Sequence, residues 1–374
     1  MEPFVPSKLP LADVQWEPLI PLIGRANRAL AHYEGVLYGV PNAELLLSPL
    51  TTQEAVLSSR IEGTQATIGE VFLFEAGEEP AGVEKQLDVR EILNYRRALR
   101  EAVKSLDGRP FTLNLLLKLH DILLESVRGR DKARGQFRKM QNWIGERGTP
   151  IERASFVPPS PLVLPEYLDN WEKYYHQTRP DALVQLAVVH AQFEILHPFL
   201  DGNGRLGRIL IPLFLYEKKL LSRPMFYLSE WLEEHRDEYV AALRALGRDD
   251  GAWNRWIEFF LTGVEDQAQR NSRKARAMMD LYEGLKRRII SLTHSQYAVP
   301  LLDQLFNRPV FQSNRLQFEP CPTKASVANL LRALREGGVI KVLREGSGRR
   351  ATVYALTELV DICEGRDSAK PEAV

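Results

Sequence analysis

The sequence of 374 residues predicts a mainly α-helical protein with a small β-hairpin flap and an α+β module near its C-terminal end. Three observations carry that expectation. Apolar residues recur at helical spacing through most of the chain up to residue 290. One short extended stretch, Ala154–Pro159, is closed by prolines, which cannot donate to a sheet ladder and so mark an edge strand or flap. From about residue 291 a helix is followed by two β-rich runs around a glycine-rich basic turn.

Taken in order, residues 1 to about 40 are proline-rich and lead into a helix over Arg25–Tyr38. Pro49 precedes Thr51-Thr52-Gln53-Glu54, which has the spacing of a capping box. The helix it opens, about 52–63, carries Ala55, Val56 and Ile61 and should stop at Gly63. Ser58 and Glu62 lie four apart on one face of it. A carboxylate in a last turn opposes the helix dipole. Glu62 is therefore either a solvated surface residue or the partner of a cation elsewhere in the fold. Helical spacing continues over 84–106, 112–127, 163–176, 182–196, 206–220, 229–246 and 252–290, with Pro212 expected to kink the fifth of these. Trp253, Trp256, Phe259 and Phe260 read as core packing. Ser155, Phe156, Val157 and Pro158 form either an ordinary loop or an exposed edge that can pair with a partner's backbone.

Composition sets the outer limits. The chain is 44% hydrophobic with 49 basic and 49 acidic residues, so bulk charge does not draw it to nucleic acid, though a local basic patch can exist. Cys321 and Cys363 are too few for a disulfide framework or a thiolate metal site. No apolar run reaches membrane-spanning length and the N-terminus lacks a basic region followed by an apolar one, so a cytoplasmic protein without a membrane segment is expected. The length suits several domains: an N-terminal region (1–108), a helical core (109–265), a connecting helix (266–290), the α+β module (291–360) and a polar tail (361–374).

One stretch concentrates the chemistry: His197-Pro198-Phe199-Leu200-Asp201-Gly202-Asn203-Gly204-Arg205-Leu206-Gly207-Arg208. Gly202–Gly207 matches G-x-G-x-x-G in form, but the residues before it have helical period, so a dinucleotide fold is disfavoured. A Walker loop lacks its Gly-Lys-Ser/Thr. A metal trio of His190, Glu194 and His197 is disfavoured because Pro198 ends the helix. What remains is a loop between helices whose N–H groups converge on an anion, extended by the N-terminus of the next helix. Arg205 and Arg208 can point together toward a polyphosphate. Asp201 is a hard ligand suited to Mg²⁺, and His197 is the natural general base for a hydroxyl.

Between Leu285 and Thr357 there are twelve Lys/Arg against four Asp/Glu. Thr323–Leu334 reads as a helix ended by Gly337-Gly338, and two runs, 339–343 and 351–356, flank the basic tip Gly346–Arg350. The pattern resembles a winged helix-turn-helix, a module that contacts DNA or protein.

The central stretch matches in full the H-P-F-x-D/E-G-N-G-R-x-x-R signature of Fic-domain proteins, and the chain resembles that family over most of its length. The resemblance implies an adenylyltransferase that moves AMP from ATP to a Ser, Thr or Tyr hydroxyl of a target protein and releases pyrophosphate. It implies His197 as base and Asp201 as Mg²⁺ ligand. Asn203, Arg205 and the backbone of Gly202, Gly204, Leu206 and Gly207 would bind phosphate, with Arg208 on the γ-phosphate. Tyr239 would contact adenine, although His235 and Val240 depart from the family's Asn and second Tyr. Residues 155–158 would be the target-docking flap. Ser58–Gly63 also matches the family's S/T-x-x-x-E-G/N inhibitory helix, with Glu62 pairing Arg208. Removal of AMP, transfer of another phosphate-containing group, or a DNA-binding regulator with a nucleotide-sensing core are the alternatives. A homodimer is common among such proteins.

Overall fold

Helices α1 (Ile20–Gly39), α2 (Ala43–Leu46), α3 (Ser48–Ile61), α4 (Ile68–Glu75), α5 (Val83–Leu106), α6 (Leu113–Leu123), α7 (Leu164–His176), α8 (Ala182–Leu196), α9 (Asn203–Glu217), α10 (Ser229–Glu234), α11 (Arg236–Ala245), α12 (Ala252–Thr293) and α13 (Ala298–Asn307) follow one another along the chain. Strand β1 (Val310–Gln312), helix α14 (Lys324–Glu336), strands β2 (Lys341–Arg344) and β3 (Val353–Ala355) and helix α15 (Thr357–Glu364) complete it. The computed structural model describes residues 2–127, 132–145, 148, 150–246, 251–320, 322–348 and 350–366. Cys321, Arg349 and the tail beyond 366 lie outside the described residues. Among those described, no helix is long and apolar enough to cross a membrane.

Two compact units draw on discontinuous stretches of chain. The first comprises residues 1–34, 57–64 and 90–269; the second comprises 35–56, 65–89 and 270–374. In the first unit α8 packs against α7 and α9, and α6 lies on α9. Every residue of α8 except Ala182 and Glu194 is buried. A helix that is apolar all round belongs at the centre of its layer. Asp181 caps it by accepting from the Val184 N–H at 2.9 Å. The indoles of Trp171 and Trp256 donate to the carbonyls of Val189 and Ala187, so both aromatic anchors satisfy their polar edge on α8 itself. Helix α9 is nearly as buried, and Pro212 is accommodated within it without ending it.

In the second unit the sheet is antiparallel with order β1-β3-β2, Phe311 and Val342 flanking Tyr354 from either side. The expected hairpin forms from β2 and β3 with shorter strands than the apolar runs suggest. Strand β1 and helix α13, which lack a long periodic pattern, were not expected. Helix α15 runs to Glu364, where a tail from 361 was expected. Arg344 is committed to Glu78, which also accepts from Gln312 Nε2 at 2.7 Å, so part of the basic face is neutralised inside the unit.

The helix starts show where local chemistry misleads. Helix α3 begins at Ser48 and takes Pro49 into its first turn, where a missing N–H is harmless. Thr51–Glu54 is therefore helix interior, not a cap. The capping box in this region belongs to α4: Thr67 Oγ1 accepts from Glu70 N–H at 3.2 Å, and Glu70 accepts from Thr67 N–H at 2.9 Å. Thr67→Ala is expected to cost about 1 kcal/mol, read as a lower midpoint in chemical denaturation. The expected 229–246 helix is two, divided at His235, whose imidazole bonds back to the Trp231 carbonyl.

Candidate active site

Helix α8 ends at Leu196, and His197 follows in the left-handed region, with φ 44° and ψ 58°. This conformation is uncommon for a residue with a side chain and turns the chain sharply into the loop. His197 Nδ1 lies 3.3 Å from the carbonyl oxygen of Glu194. A carbonyl only accepts, so Nδ1 carries the proton and Nε2 is left as a base. Burial lowers His197 to about 4, leaving the imidazole neutral near pH 7.

The loop is closed by the side chain of Asn203, whose amide both accepts from the Phe199 N–H and donates to the Phe199 carbonyl, each at 2.9 Å. Gly202 precedes α9, whose first turn supplies N–H groups without intrahelical partners. Arg205 turns inward, bonding Glu91 at 3.0 Å and Asp201 at 3.1 Å. Thr64 reaches the same Glu91 at 3.4 Å. Beneath the loop, His120 stacks on Phe199 with ring centroids 3.9 Å apart. It accepts from Gly135 N–H on Nδ1, so its Nε2–H donates to the Asp201 carbonyl.

Beside this loop opens a cleft of about 600 Å³, within the range of small-molecule sites. Glu62, Glu194, His197, Gly204, Arg208 and Tyr239 line it, with Ile144, Gly145 and Phe156 of the flap region opposite. Of the expected phosphate ligands, Gly204 and Arg208 reach the cleft, whereas the side chains of Asn203 and Arg205 serve the loop. Tyr239 presents its ring but commits its hydroxyl to His190 Nε2 at 2.9 Å, while His190 Nδ1–H bonds the Gly207 carbonyl. With both nitrogens engaged, His190 is a structural residue, and the His190–Glu194–His197 metal reading falls away.

Arg208 is the most constrained group. Its Nε donates to Ser58 Oγ at 2.8 Å, and Nη2 donates to the Ser58 carbonyl at 2.9 Å and to Glu62 Oε1 at 2.6 Å. The guanidinium side chain is 1% exposed and the carboxylate 40%. Burial pushes the Glu62 carboxyl up, but the charge and hydrogen bond of Arg208, helped by Arg205 and His197, bring it below its ordinary value. The approach demands a bare helix face. A Cβ on Gly204 would lie 2.2 Å from Glu62 Oε1, and one on Gly207 would lie 2.3 Å from Glu194 Oε1.

By spacing Glu194 belongs only with the disfavoured metal trio. It is the one charged residue on α8, and its Oε1 is buried with no hydrogen-bond partner among the described residues. Burial raises its carboxyl from 4.5 to about 7, against the pull of Arg208. The folded protein thus keeps a proton that the unfolded chain releases at its ordinary carboxylate value. Stability is lost as pH rises from about 4.5 to about 7, by something on the order of 3 kcal/mol, and is level above that. Glu194→Gln is expected to flatten this fall when urea midpoints at pH 5 and pH 8 are compared.

The flap forms as a single antiparallel bridge. Ile144 and Phe156 exchange N–H···O bonds of 2.8 and 3.2 Å. Ser155 also donates to the Ile144 carbonyl, and Arg244 to the Ser155 hydroxyl. The outer edge, which the sequence left as either an ordinary loop or an exposed edge, is not open along its whole length. Val157 and Pro158 are buried, and the Val157 carbonyl accepts from Phe4 N–H at 2.9 Å, because an outward carbonyl at a buried position needs a donor. Arg236, unmarked in the sequence, lines the cleft and donates to the Ile61 carbonyl at 3.2 Å, at the C-terminal end of α3.

Asp201 offers one half-exposed carboxylate, and among the described residues no group of three His, Cys, Asp or Glu gathers to hold a metal. That donor set fits Mg²⁺ held by one carboxylate together with substrate phosphates.

Residues 20–104 match the profile of the Fic/DOC family N-terminal region and residues 110–215 that of the Fic/DOC family, together just over half of the chain. A probable protein adenylyltransferase of Aquifex aeolicus is 29% identical over 213 residues, covering 54% of this chain and 56% of that protein. Protein adenylyltransferase Fic of Drosophila virilis is 30% identical over 125 residues, 32% of this chain and 24% of the relative. The chain thus spans about half the length of the first and a quarter of the second. Among solved structures, a Fic family protein from Desulfovibrio desulfuricans G20 superposes with TM-score 0.59 at 18% identity, covering 98% of this chain and all of the other. Fic-1 of C. elegans gives 0.53 at 19% identity over 70% of this chain and 74% of the other.

Proposed function

We propose that this chain, which belongs to the Fic/DOC family, transfers AMP from ATP to a hydroxyl side chain of a target protein and releases pyrophosphate. One observation carries the reading. A neutral histidine with its Nε2 unprotonated, a glycine-bearing helix N-terminus and a buried arginine line one cleft of nucleotide size. ATP would lie with its phosphates on the first turn of α9 at Gly204 and its γ-phosphate on Arg208. His197 Nε2 would take the proton of the attacking hydroxyl as the oxygen forms its bond to the α-phosphorus and pyrophosphate leaves. Asp201 would hold Mg²⁺, which when bound neutralises phosphate charge. The ring of Tyr239 would border the adenine, and the flap residues 155–158 with Ile144 and Gly145 would align the target segment by backbone pairing.

Glu62 makes the resting enzyme self-inhibited in this reading. It occupies Arg208, so the γ-phosphate loses its guide and the α-phosphate is misplaced for in-line attack. Because Glu62 borders the cleft beside His197, a second reading has it position a water for removal of AMP. Incubation with ATP labelled on the α- or the γ-phosphate separates the cases. Protein labelled from α- but not γ-labelled ATP supports AMP transfer, and the reverse indicates a kinase. Loss of label from pre-modified target supports removal.

Residues 291–360 serve, in the same proposal, as a winged helix-turn-helix-like contact module for DNA. Lys341 and Arg350 are exposed at the hairpin. Salt-sensitive DNA binding that weakens on neutralising Lys341, Arg349 and Arg350 is the expected result; binding that survives removes the DNA reading and leaves protein contact. Homodimerisation is checked by sedimentation.

A further inference from the structure

Arg138 is 2% exposed, yet no carboxylate among the described residues pairs with it. Its guanidinium is spent on carbonyls: Nε donates to His197 at 2.9 Å, Nη2 to Leu196 at 3.3 Å and to Pro159, and Nη1 to Met140 at 3.4 Å. Its own N–H donates to the Pro198 carbonyl at 2.9 Å. Two of these carbonyls end α8, where an α-helix leaves its last acceptors without partners. A neutral amide would satisfy them without desolvating a charge. Asn142 already does so next door, donating to the Phe199 carbonyl at 2.9 Å. A buried cation without a counter-charge is unfavourable by itself, so capping alone does not account for an arginine here.

What the guanidinium adds is reach and charge. Its fork spans the last carbonyls of α8 and the carbonyl of Pro159 at the end of the flap segment, so one rigid plane ties the histidine to the flap. The geometry assigns Arg138 as a positioning residue that acts through His197: it holds the backbone from which the imidazole reaches the Glu194 carbonyl, and so keeps the ring's place and tautomer relative to a hydroxyl aligned by the flap. The assignment rests on the AMP-transfer reading. It explains why His197 tolerates its left-handed backbone, since the carbonyl turned aside by that conformation is the one Arg138 Nε holds. The positive charge also opposes protonation of the imidazole, together with burial, against the carboxylates of Glu62 and Asp201.

The test uses the full chain carrying Glu62→Gly, into which Arg138→Met and Arg138→Lys are introduced. Arg138→Met is expected to lower kcat for AMP transfer about 100-fold, the scale of a misplacement of about 1 Å, with KM for ATP unchanged. Arg138→Lys should give an intermediate kcat, since a point charge reaches fewer carbonyls. A second readout does not depend on transfer. Histidine ¹⁵N spectra of the parent protein should show His197 as the Nδ1–H tautomer, and those of Arg138→Met a mixture. Unchanged kcat with an unchanged tautomer overturns the assignment, as does a rise in KM for ATP that accounts for the whole loss. If Arg138→Met does not fold, Arg138→Lys decides by the same two readouts. If the Glu62→Gly parent transfers no AMP, the functional reading fails while the tautomer measurement still decides on Arg138.

Discussion

Replacing Glu62 by glycine is expected to raise AMP transfer about 100-fold, the scale set by restoring a misaligned reacting phosphate. The reason lies in how Arg208 is held. It makes two bonds to Ser58 and one to Glu62, and Glu62 supplies the only charge among those three acceptors. Removing that carboxylate leaves a guanidinium still placed on the cleft wall and free to guide a γ-phosphate. Glu62→Gln should fall between the two, because it keeps the shape of the contact but not its charge. Covalent label from α-labelled ATP, compared at equal protein and ATP concentration, measures the effect. Equal labelling of wild type and Glu62→Gly would remove the inhibitory role.

The second large effect belongs to His197→Ala in the Glu62→Gly background, where transfer should drop by about 10²- to 10⁴-fold, the usual span of a general base. ATP binding should change little, since the imidazole serves the hydroxyl and not the phosphates. A pH profile sharpens the test. With His197 near 4, the base is unprotonated through the neutral range. The base itself should therefore serve from pH 8 down toward 5, and any change near 7 should come from Glu194 in the same cleft and vanish in Glu194→Gln. A fall centred near 6.5 that persists in Glu194→Gln would mean an imidazole less buried than in this structure.

The legibility of this chain in its sequence divides along physical lines. The loop 197–208 was readable because its chemistry is contiguous, and Ser58–Glu62 because both residues sit on one helical face. Helices α5 to α9 were readable because their apolar spacing is sustained. Arg205 shows the limit. Helical spacing places it beside Arg208, but its partner Glu91 lies 114 residues away, and that ion pair turns it from the cleft. Arg138 and Arg236 act on backbone carbonyls distant in sequence, and a backbone acceptor leaves no mark in the residue pattern. The capping box was misplaced because Thr51–Glu54 and Thr67–Glu70 carry the same spacing; only the tolerance of a first helical turn for Pro49 decides between them.

If Glu62 controls the site as proposed, the double hold of Ser58 on Arg208 limits how much must move to open it. When Glu62 alone rotates away, Arg208 keeps both Ser58 bonds, so α3 need not leave and no backbone need unfold. In the proposed mechanism the gate is the Glu62 side chain alone, and its ion pair to a buried guanidinium makes it open more slowly than a free surface rotamer would. On that proposal, any binding event that draws one carboxylate from Arg208 relieves inhibition without a change in the backbone of α3.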